Sequence, residues 1–256
     1  MTAIVEPNKP KELSYNPGEI VVISGVAQWL TKAEGHELRL DIVPVPSPES
    51  TVGIASFVVM EQEQTFLNDV SKLLATAIVS RVTGQGKIVF LTAESKGSHL
   101  VPRVWDHLDE TIGHRLEKRI VTLRKGQPKV YMQRPAMIRG QEISLSPTVF
   151  CSITSSHEQS LMISPKDAEF LSEVIERGAR PVFVDDFIGT GGTIVAVCEI
   201  FEKLDLNPPS LVAVIGSDGN FYEDILAGLD ITLLPQPFPL RLPTFVRNNP
   251  NEPWRI

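Results

Sequence analysis

The spacing of apolar and polar positions changes character near residue 63. Before it, "EIVVISG" (19–25), "HELRLDIVPV" (36–45) and "VGIASFVVM" (52–60) are β-rich runs separated by Gly and Pro signals. They predict strands of a small antiparallel unit. After it, Phe66, Leu67, Val70, Leu73, Leu74, Ala77 and Ile78 fall at helical spacing within 64–84, with Gly84 as the helix stop. Short apolar runs then alternate with amphipathic stretches. The pattern predicts strands over 87–93, 119–125, 146–154, 180–186 and 210–218, with a sixth inside 228–237. Helices are expected over about 98–111, 167–178 (ending at Gly178) and 193–204.

Apolar strands alternating with helices predict an α/β fold: a doubly wound, mainly parallel sheet covered on both faces. Crossovers in such a sheet are right-handed. Ligands bind at the carboxyl ends of the strands, near the point where strand order reverses. That directs attention to the loops after residues 93, 125 and 186. The expected organisation is a β-rich N-terminal segment (1–62), a core (63–218) and a C-terminal strand and tail (219–256). The tail is proline-rich and carries Phe238, Phe245 and Trp254.

Composition narrows the possibilities. The 256 residues are 42% hydrophobic and 21% charged, with a formal net charge of −7, an ordinary globular balance. A broad nucleic-acid surface is not expected, because phosphate neutralisation needs clustered Lys and Arg. No apolar stretch of about 18 residues predicts a membrane span. The N-terminus lacks the apolar centre of a signal peptide, so a soluble cytoplasmic protein is expected. Cys151 and Cys198 are far apart in sequence and read as a strand residue and a core helix residue, giving no zinc or disulfide framework. His36, His99, His107, His114 and His157 show no metal spacing. Trp29 and Trp105 read as packing residues.

The most informative stretch is "VFVDDFIGTGGTI" (182–194). A Gly-rich turn that opens a helix is an anion site: backbone N–H groups approach a phosphate and the helix N-terminus adds favourable charge. It is not a P-loop, since no lysine follows the glycines. It is not a dinucleotide fingerprint either. Gly189 and Gly191 fit its first half, but Ile194 occupies the third glycine position. The added feature is the pair Asp185–Asp186 directly before the loop. Helix capping accounts for one aspartate, not for both together with Thr190-Gly191-Gly192-Thr193. Two carboxylates beside a phosphate cradle suit a ribose 5-phosphate, the acids accepting from the 2- and 3-hydroxyls.

This stretch closely resembles the phosphoribosyl-pyrophosphate motif of the type I phosphoribosyltransferases. The resemblance implies that Asp185 and Asp186 hold the ribose diol, and that Phe187, Ile188, Gly189, Thr190, Gly191, Gly192 and Thr193 surround the 5-phosphate. "TAESKGSHL" (92–100) resembles the family's pyrophosphate loop, placing Glu94, Ser95, Lys96 and Gly97 there, with Lys96 where an arginine is usual. "LRKGQPKVYM" (123–132) resembles the strand end that opens the family's long flexible loop, with Arg124, Lys125 and Lys129 closing on pyrophosphate. "SITSSHEQSLMIS" (152–164) resembles that loop's return, and 126–147 is the candidate for the mobile part. These matches fall on the adenine/xanthine side of the family.

The resemblance further implies a purine-type transferase of purine salvage. It would move ribose 5-phosphate from phosphoribosyl pyrophosphate to a base such as adenine, xanthine or guanine. Asp185, Asp186 and Lys96 would carry catalysis. Mg²⁺ would be held through substrate and water with no dedicated protein cage, Asp185 being the one candidate for a direct ligand. The N-terminal and tail segments would form a hood over the base, and the protein would be a homodimer. The alternative is a non-catalytic sensor of phosphoribosyl pyrophosphate or a nucleotide on the same fold.

Overall fold

The computed structural model describes residues 19–23, 26–33, 36–46, 52–57, 64–82, 86–94, 97–126, 136–138, 141–143, 148–151, 158–189, 191–217, 223–229, 231–234, 244–249 and 251–252. Of these residues, those before 64, within 136–160, within 216–225 and at 244–245 are described by their backbone alone, as are 65, 110 and 126.

Strands β1 (Glu19–Ile23), β2 (Val26–Ala33), β3 (His36–Pro46) and β4 (Val52–Phe57) form an antiparallel meander. β14 (Thr244–Val246) extends it beside β4, with Thr244 opposite Ile54. The tail thus supplies a strand to the sheet begun by the first 57 residues. β2 escapes the sequence pattern because "VAQWLTKA" mixes polar and apolar residues without strict alternation.

The second sheet has seven strands in the order β13-β12-β11-β5-β6-β10-β9. β5 (Ile88–Ala93), β6 (Leu116–Gly126), β11 (Arg180–Ile188), β12 (Leu211–Ser217) and β13 (Thr232–Leu233) run parallel. The expected doubly wound, mainly parallel sheet is therefore present. One expectation needs correction. The segment predicted as a core strand over 146–154 is β9 (Thr148–Cys151) at the sheet edge, antiparallel to β10 (Glu158–Met162), which is itself antiparallel to β6. β10 lies in the segment read as a returning loop. An antiparallel return needs no helical crossover, so the strand-helix alternation lapses here. Between β6 and β9 lies a short ribbon, β7 (Ala136–Ile138) with β8 (Gln141–Ile143). Gly84, expected as a helix stop, lies outside the described residues, as do 127–135, 139–140 and 144–147 of the loop expected to be mobile.

Helices cover both faces. α1 (Gln64–Arg81) and α2 (Gly97–Ile112) bury Phe66, Leu74, Val104 and Leu108 against Ile88, Phe90, Val182 and Val184. Trp105 meets Phe90 edge-on with ring centroids 5.9 Å apart, the packing role expected of it. α3 (Pro165–Glu176) and α4 (Gly192–Lys203) bury Leu171, Val174, Ile200 and Phe201 on the opposite face, against Val89, Leu91, Phe183 and Val214. The strand period of two sends Val182 and Val184 to one face and Phe183 to the other. α5 (Glu223–Gly228) has six residues, too few to print a helical period in the sequence.

Caps fix where the second-face helices begin. Ser164 precedes Pro165, and its hydroxyl accepts from the Asp167 amide at 3.1 Å, an N-cap with proline at the first helical position. The Asp167 carboxylate pairs with Arg119 on β6, whose guanidinium lies 5.4 Å from the centre of the Phe170 ring.

Cys198 is half-buried on α4, packed at the margin of the core as expected. Burial first, and the neighbouring Glu199 carboxylate second, push its thiol up to about 11. The folded thiol therefore keeps its proton where an unfolded one, with its ordinary value of 9.0, loses it. That contribution to stability is complete below pH 9 and fades as pH rises toward 11. In a Cys151→Ser background, Cys198 should alkylate at least ~10-fold more slowly at pH 8 in buffer than in denaturant. Equal rates would remove the assigned shift.

Candidate functional site

The sheet reverses its winding between β5 and β11. From β5 the chain passes through α2 to β6 on one side. From β11 it passes through α4 to β12 on the other. β5 and β11 pair from Arg180 opposite Ile88 to Phe183 opposite Leu91. Beyond that point each strand keeps only its outer neighbour. Ala93 stands opposite Leu123 of β6, and Asp185 opposite Val214 of β12. The carboxyl ends thus part and leave a crevice, the place where open α/β sheets bind ligands.

Asp185 and Asp186 stand on the β11 lip of this crevice. Asp185 is 5% exposed, one of the few buried polar residues among those described, whereas Asp186 is half-buried. The Asp186 amide donates to Asp185 Oδ1 at 3.0 Å. Phe187 is half-buried against the core face shared with α1 and α2, and Ile188 is buried on the opposite face. These apolar anchors fix the strand end from which the Gly/Thr turn departs.

Gly191 is the N-cap of α4 and has φ +79°. That left-handed conformation strains any residue with a Cβ, which explains a glycine at this position. The cap provides no side-chain acceptor, in contrast to Ser164 on α3. The first helical bond is Val195 N to Gly191 O at 3.1 Å. The amides of Gly192, Thr193 and Ile194 precede it, and first-turn amides have no intrahelical acceptor. Together with Gly189 they form a turn suited to an anion. Gly192 and Thr193 are half-buried.

The two described ends of the connection from β5 to α2 lie at this edge. At its start the Glu94 amide donates to the Leu123 carbonyl of β6 at 2.7 Å. At its end Gly97 opens α2 against β11. A Cβ on Gly97 would lie 2.5 Å from Asp185 Oδ1, 3.0 Å from Asp185 Cα and 3.2 Å from the Asp186 amide nitrogen. Only glycine tolerates this approach. Arg124 and Lys125 follow Leu123 on β6, Arg124 exposed and Lys125 half-buried. The structure therefore brings Glu94, Gly97, Asp185, Asp186, Gly189, Gly191, Gly192 and Thr193 to the carboxyl edge around one crevice, with Arg124 and Lys125 one strand away. Ser95, Lys96, Lys129 and Thr190 lie outside the described residues, as do Tyr131 and His157. Among the described residues no group of three or more His, Cys, Asp or Glu could hold a metal ion. Two adjacent carboxylates are nevertheless the hard oxygen donors that Mg²⁺ takes beside water and phosphate.

Thr92 was not singled out by sequence. It is a buried hydroxyl two residues before Glu94, donating to the Ala93 carbonyl at 3.3 Å. Its signal is that it is the one polar residue in the otherwise apolar strand "IVFLTA".

No family model and no curated protein matches the chain. Similar solved structures include an adenine phosphoribosyl transferase from Trypanosoma brucei, in complex with AMP, pyrophosphate and ribose 5-phosphate. It is 14% identical, with 75% of this chain and 73% of that one covered and a TM-score of 0.47. An adenine phosphoribosyltransferase from Thermoanaerobacter pseudethanolicus is 18% identical, covering 75% and 93%, with a TM-score of 0.45. A hypoxanthine phosphoribosyl transferase from Trypanosoma cruzi is 12% identical, covering 62% and 66%, with a TM-score of 0.31. At such values a shared activity does not follow, and the function proposed below rests on the chain's own residues. No helix among the described residues is long and apolar enough to cross a membrane.

The cap geometry has a direct test. Gly191→Ala should lower stability by roughly 1–2 kcal/mol in urea unfolding, the cost of forcing a Cβ into the left-handed region. An unchanged midpoint and slope would show that the turn does not require that conformation.

Proposed function

We propose that the chain is a phosphoribosyltransferase of the type I family, moving ribose 5-phosphate from phosphoribosyl pyrophosphate to a purine-type base and releasing pyrophosphate. The observation that carries this is the Asp185–Asp186 pair on β11, at the switch point, running into a helix N-terminus that supplies no side-chain acceptor of its own.

Each part has a role that follows from its chemistry. The amides of Gly189 to Thr193 would hold the 5-phosphate, whose charge replaces the missing cap. Asp186, the more open of the two acids, would accept from the ribose hydroxyls, with Asp185 beside it. The loop 94–97, with Lys96, and the basic residues Arg124, Lys125 and Lys129 would face the pyrophosphate. Breaking the anomeric bond leaves a cationic sugar and a departing polyanion. Catalysis therefore consists of fixing the sugar while charge on the leaving group is stabilised. Mg²⁺, when bound to the substrate, would neutralise part of that charge. Asp185 would be the protein carboxylate that shares it, chiefly through water and substrate. The antiparallel sheet of β1–β4 and β14 is proposed as the hood that selects the base, 63–218 as the core, and a homodimer in the cytoplasm as the working form.

The test is pyrophosphate release from phosphoribosyl pyrophosphate and Mg²⁺ across a panel of purines and pyrimidines. Turnover with a purine is expected. Tight binding without turnover on any base would replace the enzyme with a sensor, and no binding would remove the reading altogether. Asp186→Asn should weaken phosphoribosyl pyrophosphate by roughly 10- to 100-fold without shifting the thermal midpoint by more than a few degrees. That factor corresponds to a lost charged hydrogen bond.

A further inference from the structure

Among the described residues β10 is joined to β6 by three register pairs: Gly126 with Ser160, Lys125 with Leu161 and Arg124 with Met162. So short a ladder fixes its own register weakly. A one-residue slip is excluded, because it would turn buried Leu161 out of the core. A two-residue slip keeps the same face buried, so apolar packing alone tolerates it. What opposes that slip lies further down β6. Arg119 pairs with Asp167 at the start of α3. Asp167 is tied in turn to Ser164, whose hydroxyl donates to its Oδ2 at 2.5 Å and accepts from its amide at 3.1 Å. Ser164 stands two residues after the end of β10. The backbone of β6 is irregular where Arg119 leaves it. Ile88 stands opposite Leu116 and Phe90 opposite Ile120, so Glu117, Lys118 and Arg119 together face Val89. A bulge of this kind re-aims a side chain away from the regular ladder.

We infer that the Arg119–Asp167–Ser164 cluster locks the register of β10 on β6, which makes Arg119 and Asp167 positioning residues for Arg124 and Lys125. For its catalytic consequence the inference rests on the function proposed above. A two-residue slip carries β10 along β6 by about 7 Å. An ion pair does not stretch that far, so the slipped register must part Arg119 from Asp167. Ser164 stays with Asp167 throughout, because their bonds lie within the cap of α3 itself. Only the tie to β6 is lost. The Arg119 guanidinium also lies 5.4 Å from the centre of the Phe170 ring, so the same slip gives up two contacts at once. Arg124 and Lys125 stand in the ladder itself, opposite Met162 and Leu161. Where their backbone sits is therefore decided by the register that the cluster holds.

Hydrogen exchange on the full chain reads the lock without any ligand. Two variants serve: Arg119→Met keeps the apolar stem beside Phe170, and Asp167→Asn keeps the amide that Ser164 caps. Each should speed exchange of the 124–126 and 158–162 amides by about fivefold or more. Amides of β11 and β12 should change by less than about twofold. The double variant should add less than about twofold to the worse single one, since both act through one contact. Titration calorimetry then takes inorganic pyrophosphate with Mg²⁺ and ribose 5-phosphate as separate probes. Each variant should weaken pyrophosphate by about fivefold or more and ribose 5-phosphate by less than about twofold. Unchanged exchange at 158–162, or equal acceleration across the whole sheet, would overturn the lock. Faster exchange there with pyrophosphate affinity intact, or equal loss of both probes, would overturn the positioning role. If Arg119→Met does not fold, Asp167→Asn decides alone. A wild-type chain that binds neither probe would remove the proposed function, and the exchange result would still decide the lock.

Discussion

The arrangement depends on one constraint: two parallel strands can share hydrogen bonds only while they travel together. β5 and β11 do so for four register pairs, from Ile88 with Arg180 to Leu91 with Phe183. Their chains are then drawn apart, β5 toward β6 and β11 toward β12, because α2 and α4 return the backbone in opposite directions. Backbone groups released at that fork must find other partners. Glu94 finds Leu123, and Asp186 turns its amide onto the side chain of Asp185. The polar fittings of the crevice follow from how the sheet ends.

The proposed substrate is a polyanion, yet the chain carries a net charge of −7 and places two acids at the crevice. A long-range field of that sign does not draw phosphate in. Attraction must be local, from amides at the N-terminus of α4 and from the basic residues beyond β6, where a group works over a few ångströms and salt screens it less. The contrast between α3 and α4 fits that view. α3 satisfies its own first turn with Ser164, whereas the cap of α4 spends no side chain on it.

Much of this was legible in the sequence where a local rule decides the outcome. Core strands read as apolar runs because both of their faces are buried, as in "IVFLTA". Gly191 was legible as part of a Gly/Thr turn, since a positive φ demands what only glycine gives freely. Long-range partners left no such mark. Nothing in "ESKG" says that Gly97 will touch Asp185, 88 positions later, and nothing in "EQSLM" says that β10 will run against β6. Burial of Asp185 was likewise hidden, because an aspartate at a strand end is ordinarily exposed and only the arrival of α2 closes it off. The α5 and β13 segments are too short to carry a period at all.

The pairing of β14 with β4 has a consequence for how the molecule comes together. Val246 lies opposite Val52, so that contact closes a loop spanning about three-quarters of the chain. During synthesis β1 to β4 emerge early, and the outer edge of β4 has to wait for residues 244–246. The entropy of closing so long a loop grows only logarithmically with its length. It falls further if the seven-stranded sheet forms first and carries both ends of the intervening chain toward each other. The antiparallel sheet is then the last piece to close, and an exposed β4 edge in the interval is the stage most open to pairing with another chain.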